Sequence, residues 1–214
     1  MSGKHAALAM IETVMARPGE ITILALGRMT NVALALSLEP EFAGSVMEVI
    51  VMGGAVTVPG NVSQVATANL HEDPESAAIL YQSGAPIVQV GLDVCNQVTV
   101  SPAQLEAIAL SANPGAQLLS RATAYLRGAY IRTGRIGPDD GVRYNDMPAV
   151  GYAVKPELFT VKPAQVEIET RSELTRGQTV ADWQAEKTNA RICLEVDSGA
   201  LTALFTERLT KPLS

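Results

Sequence analysis

Along the whole chain, short continuous apolar runs alternate with stretches of helical spacing. "EITILAL" (20–26), "SVMEVIVMGG" (45–54) and "PIVQVGLD" (86–93) are apolar without alternation and partly β-branched. That pattern predicts strands buried on both faces. "TNVALALSLEP" between the first two predicts a helix with Thr30 or Asn31 as cap and Pro40 just past its end. "DPESAAILYQSGAP" (73–86) predicts another, with Asp73 as cap, Pro74 at the first helical position and Gly84 closing it. Two helical stretches follow, "SPAQLEAIALSAN" and "GAQLLSRATAYLRGAYIR", and then a Gly- and Asp-rich loop over 133–146. "MPAVGYAVKPELF" predicts a short helix stopped near Pro156, "AQVEIET" and "ARICLEVD" two more strands, and "GALTALFTERL" a terminal helix.

Strands alternating with helices imply an α/β fold: a mostly parallel sheet flanked by helices. No linker, repeat or low-complexity stretch divides residues 1–214, so a single domain is expected. Ligands of such sheets bind beyond the carboxyl ends of the strands. Here those ends are Leu26-Gly27, Met52-Gly53-Gly54 and Leu92-Asp93. A Gly pair after a buried strand lets the backbone turn sharply or approach something closely.

Composition narrows the function classes. The chain has 47% apolar and 18% charged residues, a globular composition, and a net charge of -6. No basic patch is visible, which argues against nucleic acid. No apolar run reaches bilayer length and no signal-peptide pattern opens the chain, so no membrane association and a cytoplasmic location are expected. Cys95 and Cys193 each sit among apolar residues and read as buried free thiols.

"LALGRMTNVALAL", "VMGGAVTVPGN", "ATANLHEDPESAAILYQSGAPIVQVGLDV" and "VEIETRSELTRGQTVAD" together resemble the nucleoside hydrolase family, of the inosine- and uridine-preferring type. The pieces occur in the family's order across nearly the whole chain. The resemblance implies hydrolysis of the N-glycosidic bond of ribonucleosides to ribose and free base, with calcium as cofactor. It implies ribose contacts from Met52, Asn61 and Asn69, and calcium ligands from the Leu26 carbonyl and from Asp146. A small-molecule nucleoside or ribose is the expected partner, and family members usually form homo-oligomers. The chemistry suits these residue types. A departing ribosyl group develops oxocarbenium-like charge and is gripped through its hydroxyls, to which amides both donate and accept. Taken without the resemblance, Met52 reads as core, Asn61 as a turn residue and Asp146 as a helix cap.

The chain also departs from the family pattern. The Asp-x-Asp-x-Gly-x-Asp-Asp motif, which supplies most of the calcium carboxylates and the general base, has no match. "MSGKHAALAMIETVMARPGE" corresponds to a helix downstream of it, so N-terminal sheet strands are expected to be missing and the chain to be truncated relative to the family. "GPDDG" (137–141) reads as a solvated loop instead. Asn145 stands where many members carry the His that protonates the leaving base, and an amide cannot deliver a proton. Thr67 stands where a Glu is frequent, which predicts the loss of a charged contact to the sugar. His71 reads as a surface residue and Trp183 as packing. Two further readings follow: a catalytically silent ribose- or nucleoside-binding module, or half of a split enzyme needing an N-terminal partner chain.

Overall fold

The computed structural model describes residues 3–134 and 136–211. Continuous apolar strands need cover on both faces, because successive side chains point to opposite sides. Val49 and Val51 pack on one face, against the helices Ala6–Ala16, Thr30–Leu38 and Pro74–Gln82. Ile50 and Met52 pack on the other, against Leu92–Cys95, Asp146–Val154 and Ser198–Thr210. Val49, Ile50 and Val51 are all 0% exposed, as a strand between two helical layers requires.

The six strands are β1 Thr22–Ala25, β2 Glu48–Met52, β3 Ile87–Val90, β4 Phe159–Ile168, β5 Thr179–Asp182 and β6 Ala190–Val196. Their order is β1-β2-β3-β6-β4-β5. β1, β2, β3 and β6 run parallel, with Ile23 opposite Val49 and Val51 opposite Gln89. β4 runs antiparallel to both β6 and β5. The mixed end of the sheet has a local cause. No helix separates β4, β5 and β6, and a parallel pairing needs a crossover of helical length.

Several elements differ from the sequence reading. β4 starts at Phe159, ahead of the strand read from "AQVEIET", and β5 was not anticipated. Thr30 and Asn31 do not cap their helix: Met29 holds the cap position without a side-chain bond. The Thr30 hydroxyl instead donates to the Asp73 carboxylate, a stronger acceptor than a neutral backbone group offers. Asp73 does cap the following helix, accepting from Ser76 N at 3.1 Å. Gly84 closes that helix in the left-handed region, at φ +81°. Cys95 and Cys193 are free and buried. Trp183 packs against the first core layer with the Lys162 ammonium 4.8 Å from its ring centre.

Candidate functional site

The carboxyl ends of β1 and β2 converge on one side chain. Asn69 Nδ2 donates toward Met52 O at 2.8 Å and Leu26 O at 3.2 Å, and lies 3.3 Å from Met52 Sδ. Two facing carbonyls fix which end of the amide is the nitrogen. Leu26, Met52 and Asn69 therefore meet in one cluster.

Asn61 joins it indirectly. Its Oδ1 accepts from Ala68 N at 3.0 Å, which caps the short helix Ala68–His71 carrying Asn69. The loop before that helix is tight. A Cβ on Gly60 would lie 2.1 Å from Ala66 O.

The Gly53-Gly54 turn is held from all sides. Gly54 has φ +88°, and a Cβ there would lie 2.5 Å from Gln89 Nε2. A Cβ on Gly53 would meet Leu70 Cδ1 at 2.4 Å. Each backbone N–H from Gly53 to Thr57 has a partner. Gly53 donates to Val90 O at 3.3 Å and Gly54 to Thr67 Oγ1 at 3.0 Å. Ala55 donates to Thr179 Oγ1 at 3.1 Å, and that hydroxyl donates back to Ala55 O at 3.0 Å. Val56 and Thr57 donate to the buried Asp93 carboxylate at 3.1 and 2.7 Å, and the Thr57 hydroxyl adds a third bond at 2.6 Å. Thr67, the residue in the family's Glu position, is thus a buried clamp on the turn.

Asn145 and Asp146 form a separate corner. Asp146 opens the helix Asp146–Val154, and desolvation by the surrounding packing raises its carboxyl pKa. Asn145 O accepts from Cys95 Sγ at 3.3 Å. Burial first, and then the nearby Asp146 and Asp93 charges, push the Cys95 thiol up to about 12. Both residues line a cleft of about 760 Å³ with Tyr130, Arg143, Tyr144 and Phe205. Leu26, Met52, Asn61 and Asn69 do not line it. Among the described residues, no hydrogen bond links Asp146 or the Asn145 side chain to the amide cluster. No group of three or more His, Cys, Asp or Glu among the described residues could hold a metal ion.

Thr67 and Asp93 stood out in the sequence only as a lost sugar contact and a strand end; that they, with Thr179, clamp the Gly53-Gly54 turn was missed. The signature "ELTRGQTVAD" carried Thr179, but no local chemistry showed that it reaches across 124 residues to Ala55. The same stretch brings Gly177, at φ +77°, against the His71 backbone, and pairs Arg176 with Glu75 at 2.8 Å.

Residues 1–203 match the family model described as inosine-uridine preferring nucleoside hydrolase. The chain belongs to this nucleoside hydrolase family. It is 35% identical over 198 residues to the non-specific ribonucleoside hydrolase RihC of Escherichia coli O7:K1, covering 91% of this chain. To RihC of Salmonella enteritidis PT4 it is 36% identical over 197 residues, again covering 91% of this chain. It spans 62% and 61% of the length of these two curated relatives. Among solved structures, the plant nucleoside hydrolase PpNRh1 superposes with a TM-score of 0.90 at 31% identity, over 99% of this chain and 68% of that one. The purine-preferring ribonucleoside hydrolase of Gardnerella vaginalis gives a TM-score of 0.90 at 29% identity, over 98% of this chain and 66% of that one. The six-stranded sheet flanked by helices is thus the nucleoside hydrolase fold, as expected from the sequence. Among the described residues no helix is long and apolar enough to cross a membrane.

Proposed function

We propose that this family member grips the ribose of a nucleoside at the ends of β1 and β2, in the service of hydrolysis of the N-glycosidic bond to ribose and free base. The observation that carries the reading is the convergence of Asn69 on Leu26 and Met52, at the sheet end where α/β folds bind ligands. Asn69 and Asn61 supply amides to the sugar hydroxyls, and Met52 lays its thioether against the ring. The bonds Asn69 makes to the two carbonyls hold its amide in one orientation, with Oδ1 left to accept a sugar hydroxyl. Asn145 faces the base from the neighbouring cleft and can hydrogen-bond it, but cannot protonate it. Binding takes place in the cytoplasm, without nucleic acid or membrane.

The family is generally metal-dependent, and we assign calcium to the side of Leu26 and Asp146. When bound, calcium would hold the ribose diol and polarise the attacking water. The described residues do not fit it by themselves. Calcium takes six to eight oxygens. Asp146 and the Leu26 carbonyl are two, and that carbonyl already accepts from Asn69. This shortage favours a second reading: a chain that binds ribose or nucleoside without turning it over, or that works as part of a split enzyme.

The test measures base release from inosine, uridine, adenosine and cytidine with calcium present, alongside ribose titration by calorimetry. The hydrolase reading expects ribose binding that Asn69→Ala weakens at least tenfold, about 1.4 kcal/mol. Equal ribose affinity in Asn69→Ala and the parent chain would refute the proposed grip. Binding without base release would select the silent module.

A further inference from the structure

We infer that a free oxopurine base binds a second cavity, between two helices, and through Arg127 steadies the segment that leads to Asn145. That such a base is a product of this chain rests on the nucleoside hydrolase reading; the fit of the cavity to it does not.

The helices Pro102–Ala109 and Pro114–Arg132 pack side by side. They run in opposite directions, since Gln117, near the start of the second, donates from Nε2 to Ala109 O, at the end of the first, at 3.0 Å. Leu105, Glu106 and Ala109 form a stripe at helical spacing on one, and Thr123, Ala124 and Arg127 form its match on the other. Between the stripes lies a cavity of about 280 Å³, the space of about nine waters. A bicyclic base fits it.

The two charged groups of this cavity are unspent. Arg127 Nε is buried and has no hydrogen-bond partner among the described residues. A buried donor is costly to leave unpaired, so this end calls for an acceptor. None of the ion pairs among the described residues includes Arg127 or Glu106. The antiparallel packing sets Arg127 toward the Pro102 end and Glu106 nearer the other. The occupant therefore carries an acceptor at one end, a donor at the other and an apolar face for Leu105 and Ile108 between them.

An oxopurine has all three. Its O6 accepts from Arg127 Nε, its ring lies on the aliphatic side chains, and its N9–H donates to the Glu106 carboxylate. In a nucleoside N9 holds the sugar, so that N–H exists only once the glycosidic bond is broken. Adenine lacks the oxygen for Arg127. Phosphate or a simple carboxylate brings a like charge to Glu106 and no donor.

The same guanidinium reaches the segment before Asn145. Arg127 Nη2 donates to Pro138 O and, at 3.1 Å, to Asp140 O. Tyr144 bonds through its hydroxyl to Thr123 Oγ1 at 2.5 Å, and it lines both this cavity and the cleft of Asn145. A base held on Nε fixes the guanidinium that holds the segment, which couples the two sites.

Calorimetry with hypoxanthine, 9-methylhypoxanthine and adenine tests the site, and NMR hydrogen exchange reads Gly137 and Asp140, whose amides bond within the segment. We expect one hypoxanthine per chain at this site, with 9-methylhypoxanthine and adenine each weaker by about tenfold. Glu106→Ala and Arg127→Met should each weaken hypoxanthine by about tenfold and leave ribose affinity at the parent value. Exchange at Gly137 and Asp140 should slow by about tenfold at saturation. Should Arg127→Met not fold, Glu106→Ala, at an exposed position, and the 9-methyl ligand still decide. Hypoxanthine binding weaker than about 1 mM overturns the inference. So does equal affinity for 9-methylhypoxanthine, or exchange that saturation leaves unchanged. Binding that Asn145→Ala removes and Glu106→Ala does not would place the base in the other cleft and overturn it too. Glu106-dependent binding in a chain that releases no base from inosine sustains the site and counts against the hydrolase reading alone. Base release without this binding overturns the inference and spares that reading.

Discussion

Thr179→Val removes one hydroxyl and almost no volume. The Thr179 Oγ1 both accepts from Ala55 N and donates to Ala55 O, at 3.1 and 3.0 Å. Both residues are buried, Thr179 at 3% exposure and Ala55 at 5%. Valine fills the same space, so no cavity term enters. What remains is a buried N–H and a buried C=O without partners. Each such group costs about 1–3 kcal/mol, and the two share one site, so about 2–4 kcal/mol is expected in total. That is a large share of the roughly 5–15 kcal/mol that holds a typical domain together. Urea unfolding checks it: the midpoint should fall while the slope stays constant, because the surface exposed on unfolding is unchanged. Thr179→Ser keeps the hydroxyl and loses one methyl group, for about 0.8 kcal/mol. The serine variant should therefore lie much closer to the parent than the valine variant. A valine variant within about 0.5 kcal/mol of the parent, or a serine variant as unstable as valine, would refute the claim that this hydroxyl anchors the Gly53-Gly54 turn.

Gly54→Ala and Gly84→Ala separate steric clash from backbone strain. Both sites have positive φ, but only Gly54 has neighbours a Cβ would strike. Gly84→Ala should cost about 1–2 kcal/mol and Gly54→Ala clearly more, read by thermal unfolding. Asn69→Asp places a carboxylate against the Met52 and Leu26 carbonyls, so it should destabilise more than Asn69→Ala and abolish ribose binding; calorimetry and melting curves check both. Asp146→Asn tests the desolvated carboxyl. Its folded pKa is raised above the ordinary 3.8, so the native state holds the proton more tightly and stability is lost as pH rises through that window. The Asn variant should therefore match the parent in acid below that window and be more stable than it at neutral pH; equal melting curves at neutral pH would refute the desolvation argument.

Much of the architecture could be read from local pattern. Continuous apolar runs at 45–54 and 86–93 marked β2 and β3, because strands between two helical layers have no polar face. Asp73, Pro74 and Gly84 marked the limits of one helix, because capping and left-handed closure are satisfied within a few residues of chain. The motifs around Met52, Asn61 and Asn69 were strong enough to identify the nucleoside hydrolase family. The sequence also singled out the Gly pair as a place of close approach. It could not say what approaches. The structure answers that Gln89 lies beneath Gly54, with Thr67, Asp93 and Thr179 holding the backbone around it. Those contacts join residues far apart in the chain, and hydrogen bonds of that kind leave no periodicity. The antiparallel direction of β4 has a local cause, the absence of a crossover helix between β4, β5 and β6, but the strand pattern itself is the same either way. The sequence alone determined most of the strands and helices, though not β5, and which amides lie near their ends. Only the tertiary structure decided that Asn69 meets Leu26 and Met52, that Asn145 and Asp146 line a separate cleft, and that β1 is left with an open edge. Each of these depends on how buried polar groups across the fold find partners, and that is settled only when the layers pack.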